Sequence, residues 1–420
     1  MTINNISLKP NSFSNTNLQT QVQSKRSNLR PNLTKNQVAI LYDGFIPHCR
    51  VKFYSLLNAT GKAKYVVFHG APPSLTGHPE IKHTFDFPNV TVRNYEISLC
   101  GKTIVYQPVL KHIIFGSFDA VVLGHELKVV SNLILFCWCK ITAKPIVWWG
   151  HGFQKDKIAG SLNRFISKAV VMFKKHLARW TNMFIVYTEG GAAKLIDSGV
   201  QAEHIRVVRN TLDMDEQRRL HAEMINRDPR QIRENRKLQR DSKVLLYIGR
   251  IYKEKKIEEL LALVERLNAD KLCRSFVEAV IIGGGPELTK MQKAGAKIPG
   301  VHFTGELYEQ SVVAEYLRLA SAVVIPGKVG LAVNHAFSQG VPVITRGHNY
   351  HAPEVEYIIN GQNGLIVQGD FQAFVRGTAI FLNSDEDGKR MAANALKTRD
   401  RLTLEFMVEA FDKAVMQVMS

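Results

Sequence analysis

Two cations follow closely on one apolar run. KVLLYIGR (243–250) ends in Gly249-Arg250, and Lys255 follows after Ile251-Tyr252-Lys253-Glu254. At the mouth of a strand-to-helix loop such a pair clamps a diphosphate, the arginine through a bidentate fork and the lysine as a point charge. A second candidate is VVIPGKVGLAVNHAFSQGVPVIT (323–345): apolar strand, glycine turn at 326–330, short helix over 331–339, new strand. The N–H groups of a helix start at a sheet edge stabilise an anion, although an ordinary βαβ unit without a ligand has the same pattern. The third is PIVWWGHGF (145–153), where His151 stands between Gly150 and Gly152. The flanking glycines let a ligand approach and leave the imidazole unobstructed; a turn histidine without chemistry fits as well. Gly283-Gly284-Gly285-Pro286-Glu287 closes another apolar run without completing a dinucleotide fingerprint. Asp213-Met214-Asp215 has the form of a cation chelate. Its place just after a strand favours a helix cap instead.

The elements that would carry these residues alternate. Apolar runs at 37–42, 65–68, 90–95, 120–123, 145–149, 182–188 and 207–210 are separated mostly by helical stretches. The pattern resumes at 243–250, 277–282, 301–305, 322–325, 341–344 and 365–367, with helices predicted over 257–268 and 312–319. Such alternation predicts parallel, doubly wound sheets, and ligands of such sheets sit at the carboxyl ends of the strands. A chain of 420 residues is long for one core. We divide it into a basic tail (1–36), a first α/β domain (37–212), a densely charged junction (213–242), a second α/β domain (243–390) and C-terminal helices (391–420) that cross back to the first domain. The tail is rich in Asn, Ser and Thr and has no apolar core, so it is expected to be disordered and not a secretory signal.

The net charge of +18 points to a polyanionic partner. No nucleic-acid-binding module or interleaved basic and aromatic surface accompanies it, which argues against nucleic acid. The five cysteines are scattered, as free thiols of a reducing compartment are. No apolar run reaches the length of a membrane span, and the longest, 129–139, is read as a buried helix. Residues 161–180 are the clearest amphipathic helix. Leu162, Ile166, Ala169, Phe173, Leu177 and Trp180 share one face, and Arg164, Lys168, Lys175 and Arg179 the other. A cationic face is usually solvated; an unbroken one also suits an anionic bilayer.

The chain from about residue 38 to 418 resembles the retaining group 1 glycosyltransferases of the B fold. GRIYKEK (249–255), IIGGGPE (281–287), VHFTGEL (301–307), IPGKVGLAVNHAFSQGVPVIT (325–345) and PEVEYIINGQNGLIV (353–367) match in order and spacing. IVYTEGGAAKLIDSGVQAEHIRVVRNTLD (185–213) is similar to the segment closing that family's first domain. The resemblance implies two Rossmann-like domains facing a cleft, the first binding the acceptor and the second a nucleotide-diphosphate sugar. Arg250 and Lys255 would meet the diphosphate, with the backbone of Gly330 and Leu331. Gly284 would line the donor site, Gly44 would form the flexible loop of the first domain, and His151 would lie near the transferred sugar. No bound metal or cofactor is implied. The sequence departs from the family pattern where two glutamates separated by seven residues are expected, since Gly327 and His335 occupy those places. His335 could take over a hydrogen bond to the ribose, and Glu354 could supply a carboxylate. The expected activity is metal-independent transfer of a hexosyl or related group to a glycan or lipid-linked acceptor in surface polysaccharide synthesis. The expected location is cytoplasmic, peripheral at the inner face of a membrane. A nucleotide-sugar epimerase on the same fold and a non-catalytic sugar-nucleotide or glycan-binding protein are the rival readings.

Overall fold

A computed structural model of the chain describes residues 36–71, 85–99, 102–126, 128–152, 171–348 and 350–420. Residues 36–420 form one compact unit built on two parallel sheets. The first contains β1 (Gln37–Tyr42), β2 (Lys64–Gly70), β3 (Asn89–Val92), β6 (Ala120–Gly124), β7 (Ile146–Gly150), β8 (Met183–Val186) and β9 (Ile205–Val207), in the order β3-β2-β1-β6-β7-β8-β9. The second contains β10 (Lys243–Ile248), β11 (Val277–Ile282), β12 (Val301–Gly305), β13 (Ala320–Ile325), β14 (Val343–Arg346) and β15 (Gly364–Val367), in the order β12-β11-β10-β13-β14-β15. Both orders reverse direction once, between β1 and β6 and between β10 and β13. At such a switch point the loops leaving the two strands diverge and open a crevice. The loops at the second one begin at Gly249 and at Pro326.

Strands of this kind are covered by helices on both faces, which is why they read as continuous Val, Ile and Leu runs. Leu245, Leu246, Tyr247, Val280, Ile281, Val323 and Val324 have no exposed surface. The charged stretch read as a junction is not a bare connector. It folds as two helices, Met214–Ile225 and Pro229–Asn235, and Met214 and Ile232 join the second core. The C-terminal helix Leu404–Met419 packs on the first sheet. Its Phe411 ring lies 5.3 Å from Phe53 and 5.0 Å from Trp149, and its buried Asp412 accepts from the Tyr65 hydroxyl at 2.5 Å.

One element was not expected. The strand predicted over 90–95 stops at Val92, and an antiparallel pair follows, β4 (Tyr95–Leu99) with β5 (Lys102–Tyr106). Among the described residues, the free cysteines are Cys49, Cys137, Cys139 and Cys273. No helix of the described residues is long and apolar enough to cross a membrane.

Candidate active site

The loops at the carboxyl edge of the second sheet are fastened to one another through backbone. Gly249 and Gly283 both have strongly positive φ, +140° and +144°. A Cβ on Gly283 would lie 1.9 Å from the Gly249 carbonyl oxygen, so only glycine fits there. The Gly249 N–H donates to Ile282 O (3.0 Å) and the Ile251 N–H to Gly284 O (2.6 Å). Gly284 faces the Glu306 carboxylate, 2.4 Å from where its Cβ would be. The triple glycine therefore serves close loop packing here.

Arg250 stands exposed at the start of its loop, its carbonyl accepting from the Tyr247 hydroxyl at 3.0 Å. Lys255 is different. The loop turns inward over Lys253–Lys255, and Lys255 is buried, with its ammonium donating to Lys328 O at 2.7 Å. Two further bonds join the same loops, Gly327 N–H to Lys255 O (3.1 Å) and Lys328 N–H to Glu254 O (2.8 Å). Burial, with the charge of Lys328 beside it, pulls the Lys255 ammonium down to about 8, against the opposing pull of Glu354. The glycine turn is thus anchored to the basic loop by three hydrogen bonds, and a cation lies directly beneath it.

His351, which the sequence did not single out, holds the other side of the turn. Its Nδ1 accepts from the Val329 N–H at 3.1 Å, and its Nε2 lies 2.8 Å from Arg346 O, which places the proton on Nε2. The Ala352 N–H closes the clasp on Val329 O at 3.1 Å. Gly330 and Leu331 then lead into the helix Ala332–Ser338, and a Cβ on Gly330 would sit 3.9 Å from the Lys255 ammonium. At its start the Val333 and Asn334 N–H groups already donate to Gly330 O (3.1 Å) and Leu331 O (2.9 Å), which tightens the first turn.

Gly327 and His335 occupy their places for different physical reasons. At Gly327 a Cβ would meet Glu254 O at 2.1 Å and the Lys255 carbonyl carbon at 2.6 Å, so the turn in this form accepts no side chain there. His335 lies on the helix with Nδ1 buried and without a hydrogen-bond partner among the described residues. Burial lowers its pKa to about 4, so the imidazole is neutral at physiological pH. Glu354 is 2 % exposed, and one of its oxygens accepts from the Asn210 side-chain amide.

The first sheet contributes from across the crevice. His151 follows β7 and lies 5.1 Å, ring to ring, from Tyr187. His151 keeps an exposed surface; partial desolvation lowers its pKa, Glu354 opposes the shift and Lys328 adds to it. Charges from the second half therefore reach this histidine. Gly44 accepts from the Gly70 N–H at 2.9 Å, and a Cβ there would meet only the Tyr42 ring, at 3.6 Å. The halves also bond directly. Glu356 accepts from the Gly190 N–H at 2.8 Å, and Asn210 O accepts from the Tyr357 hydroxyl (3.2 Å) and the Asn334 amide (2.9 Å).

The amphipathic helix is described only over 171–179, and Arg164 and Lys168 lie outside the described residues. Leu177 is buried as its spacing requires, but Phe173 and Trp180, expected on the covered face, are exposed. Arg179, expected on the free cationic face, donates from Nε to Ser198 O at 2.8 Å; Lys175 is half-buried. Phe173, Leu177 and Trp180 line a cavity of about 1000 Å³ with Phe136, Cys137 and Lys140. It lies at the amino end of β8, the sheet edge opposite His151. Asp213 caps Met214–Ile225 by accepting from the Glu216 N–H at 3.2 Å, and Asp215 pairs with Arg218 at 2.9 Å. No cluster of three or more metal-ligating side chains occurs among the described residues.

Residues 228–398 match the family model described as glycosyl transferases group 1. Among solved structures the chain is similar to Anabaena HepE in complex with UDP, with a TM-score of 0.65 and 16% identity over 91% of this chain and 100% of that one. It is similar to WaaG, a glycosyltransferase involved in lipopolysaccharide biosynthesis (TM-score 0.62, 16% identity, 90% and 98% covered). Sucrose-phosphate synthase from Thermosynechococcus elongatus is a third (TM-score 0.64, 13% identity, 91% and 99% covered). These likenesses show that the two sheets form the glycosyltransferase B fold with two Rossmann-like domains. Comparison with curated proteins found no match.

Proposed function

We propose that the chain is a group 1 glycosyltransferase that moves a hexosyl or related sugar, with retention, from a nucleotide-diphosphate donor to a glycan or lipid-linked acceptor in surface polysaccharide synthesis. The observation that carries this reading is Lys255, buried beneath the Gly327–Gly330 turn and bonded to it. A preorganised cation fixed beneath a glycine turn stabilises charge as it develops on a departing diphosphate. Arg250 at the loop mouth adds a second fixed charge, so the reading needs no divalent ion. Support comes from the family match over 228–398 and from the UDP and UDP-glucose complexes of Anabaena HepE. In this reading His151, reached by charges of both halves, serves the transferred sugar. The exposed Phe173 and Trp180 beside Lys175 fit a peripheral role at the inner face of a membrane.

The test is a thermal-shift screen of the full chain against UDP, GDP, ADP and their sugars, since a ligand at 100 times its Kd adds about 2.7 kcal/mol. With the donor so identified, Arg250→Ala and Lys255→Ala should each lower turnover by about 10²–10³-fold. Wild-type turnover in either variant overturns the diphosphate clamp. A non-catalytic sugar-nucleotide-binding protein is the second reading, favoured by the lack of space for a carboxylate at Gly327. Donor binding without release of nucleoside diphosphate would select it.

A further inference from the structure

We propose that the second carboxylate oxygen of Glu354 is the acceptor for a hydroxyl of the donor's sugar, and that Arg50 and Asn210 of the first half are positioning residues that aim it. The inference rests on the transferase reading. Arg50, Asn210 and Glu354 are 6 %, 4 % and 2 % exposed and form one hydrogen-bonded chain. Arg50 Nη2 donates to Asn210 Oδ1, and Asn210 Nδ2 donates to Glu354 Oε1. The amide fits in only this orientation, because the opposite one would set its NH₂ against the guanidinium and its oxygen against the carboxylate.

Among the described residues no carboxylate pairs with Arg50 directly. Its charge is met by the rings of Trp149 (5.4 Å), Tyr187 (5.7 Å) and Phe53 (5.9 Å), by Met407 Sδ (3.4 Å) and by Asn210. Buried charges of opposite sign are tolerated when each is paired or hydrogen-bonded. Here the pairing runs through one amide and crosses from one half of the molecule to the other. Asn210 is itself fixed, since its carbonyl accepts from Asn334 and Tyr357 of the second half.

This arrangement engages Oε1 and leaves Oε2 buried without a hydrogen-bond partner among the described residues. The Glu354 charge is felt both by Lys255, under the glycine turn, and by His151, across the crevice. Glu354 follows two residues after Ala352, whose N–H is bonded to Val329 O of the glycine turn at 3.1 Å, so the carboxylate stands beside that turn. A carboxylate repels phosphate oxygens and accepts from hydroxyls, so the neutral, hydroxyl-bearing part of the donor is what belongs beside it. Since the aim of Oε2 depends on two residues of the first half, sugar recognition depends on the halves being together.

Calorimetry on the full chain separates the possibilities, with UDP, GDP and ADP as probes and UDP-glucose, UDP-galactose, GDP-mannose and ADP-glucose as the matching sugars. Wild type should bind one sugar nucleotide more tightly than the bare diphosphate. Glu354→Gln and Asn210→Ala should keep the diphosphate Kd within about twofold and lose about 10- to 150-fold in affinity for the sugar nucleotide. Arg50→Met should lose the same sugar increment, and Arg50→Lys should restore part of it. An increment unchanged in Glu354→Gln, which keeps the volume of the side chain, overturns the proposal even if the other variants fail to fold. Equal loss for diphosphate and sugar nucleotide also overturns it, in favour of a purely structural role. If wild type binds the diphosphate and the sugar adds nothing, this inference fails alone; if wild type binds no nucleotide, the transferase reading fails with it.

Discussion

Replacing Gly327 by alanine would place a Cβ 2.1 Å from Glu254 O and 2.6 Å from the Lys255 carbonyl carbon. Both neighbours are backbone, so no side-chain rotation relieves the clash. The basic loop must move off the turn, and the bonds Gly327 N–H to Lys255 O (3.1 Å) and Lys328 N–H to Glu254 O (2.8 Å) stretch or break with it. The Lys255 ammonium, now 2.7 Å from Lys328 O, leaves its place beneath the turn. Binding a diphosphate then requires driving the loop back against the inserted methyl. Overpacking of this kind costs about 1–3 kcal/mol, which corresponds to about 5- to 150-fold in Kd. The assay is calorimetric titration of Gly327→Ala and Gly327→Glu with whichever of UDP, GDP or ADP wild type binds, alongside thermal unfolding to show that the fold persists. The glutamate variant sharpens the test, because it restores the residue that the family resemblance expects. If loop packing governs this position, Gly327→Glu binds more weakly than wild type. Unchanged affinity in the alanine variant, or tighter binding by the glutamate variant, would refute the reasoning.

The lowered Lys255 pKa, about 8, predicts a pH dependence. A bound diphosphate favours the protonated ammonium, so binding takes up a proton once the free lysine begins to lose its own. Affinity should be flat below pH 8 and fall by up to tenfold per unit above it, a slope that Lys255→Met abolishes. In the unliganded protein the same group raises stability as pH climbs from about 8 towards 10.5, because there the unfolded chain holds more protons. Asp412→Ala should cost about 1–3 kcal/mol in urea unfolding, since it strips the buried Tyr65 hydroxyl of its acceptor; an unchanged midpoint would mean that the apolar contacts alone hold the C-terminal helix. Neutralising Arg164, Lys168, Lys175 and Arg179 together should weaken co-sedimentation with phosphatidylglycerol vesicles by about 1 kcal/mol per cation, with Arg179 counting least because Ser198 O engages it. Undiminished binding would reduce the stripe to a solvated face.

What could be read from the sequence is what local rules determine. Buried parallel strands announce themselves as apolar runs, and the glycines ending them mark the loops, so both switch-point loops of the second half were legible with Arg250, Lys255 and the 326–330 turn in place. Elements whose form depends on distant partners were not. The strand predicted over 90–95 ends early because Asn94 leaves it to donate to Asp43 O at 2.5 Å, and the chain folds into a hairpin instead. Arg50, on a helix in a basic chain, has the look of a solvated charge. Its burial comes from Trp149, Tyr187, Asn210 and Met407, all at least ninety-nine positions along the chain. Phe173 and Trp180 show the same limit from the other side: spacing defines a helix face, but not whether a neighbour covers it.

The missing glutamates now acquire an electrostatic meaning. A carboxylate at position 327 would add a negative charge next to the Lys255 loop, leaving less positive potential for a diphosphate. Glycine there brings the backbone of Glu254 and Lys255 against the turn and gives the ammonium a carbonyl, Lys328 O, in place of an anion. Where the resemblance implies a second glutamate stands His335, which burial keeps neutral. The two exchanges together remove two negative charges from around the turn. In their place Glu354 brings one carboxylate from the following loop, tied by Asn210 to Arg50 rather than to the cations of the turn. Phosphate and sugar recognition are thereby separated. Lys255 and the glycine turn serve the diphosphate within the second half, while the carboxylate that faces the sugar takes its orientation from the first half.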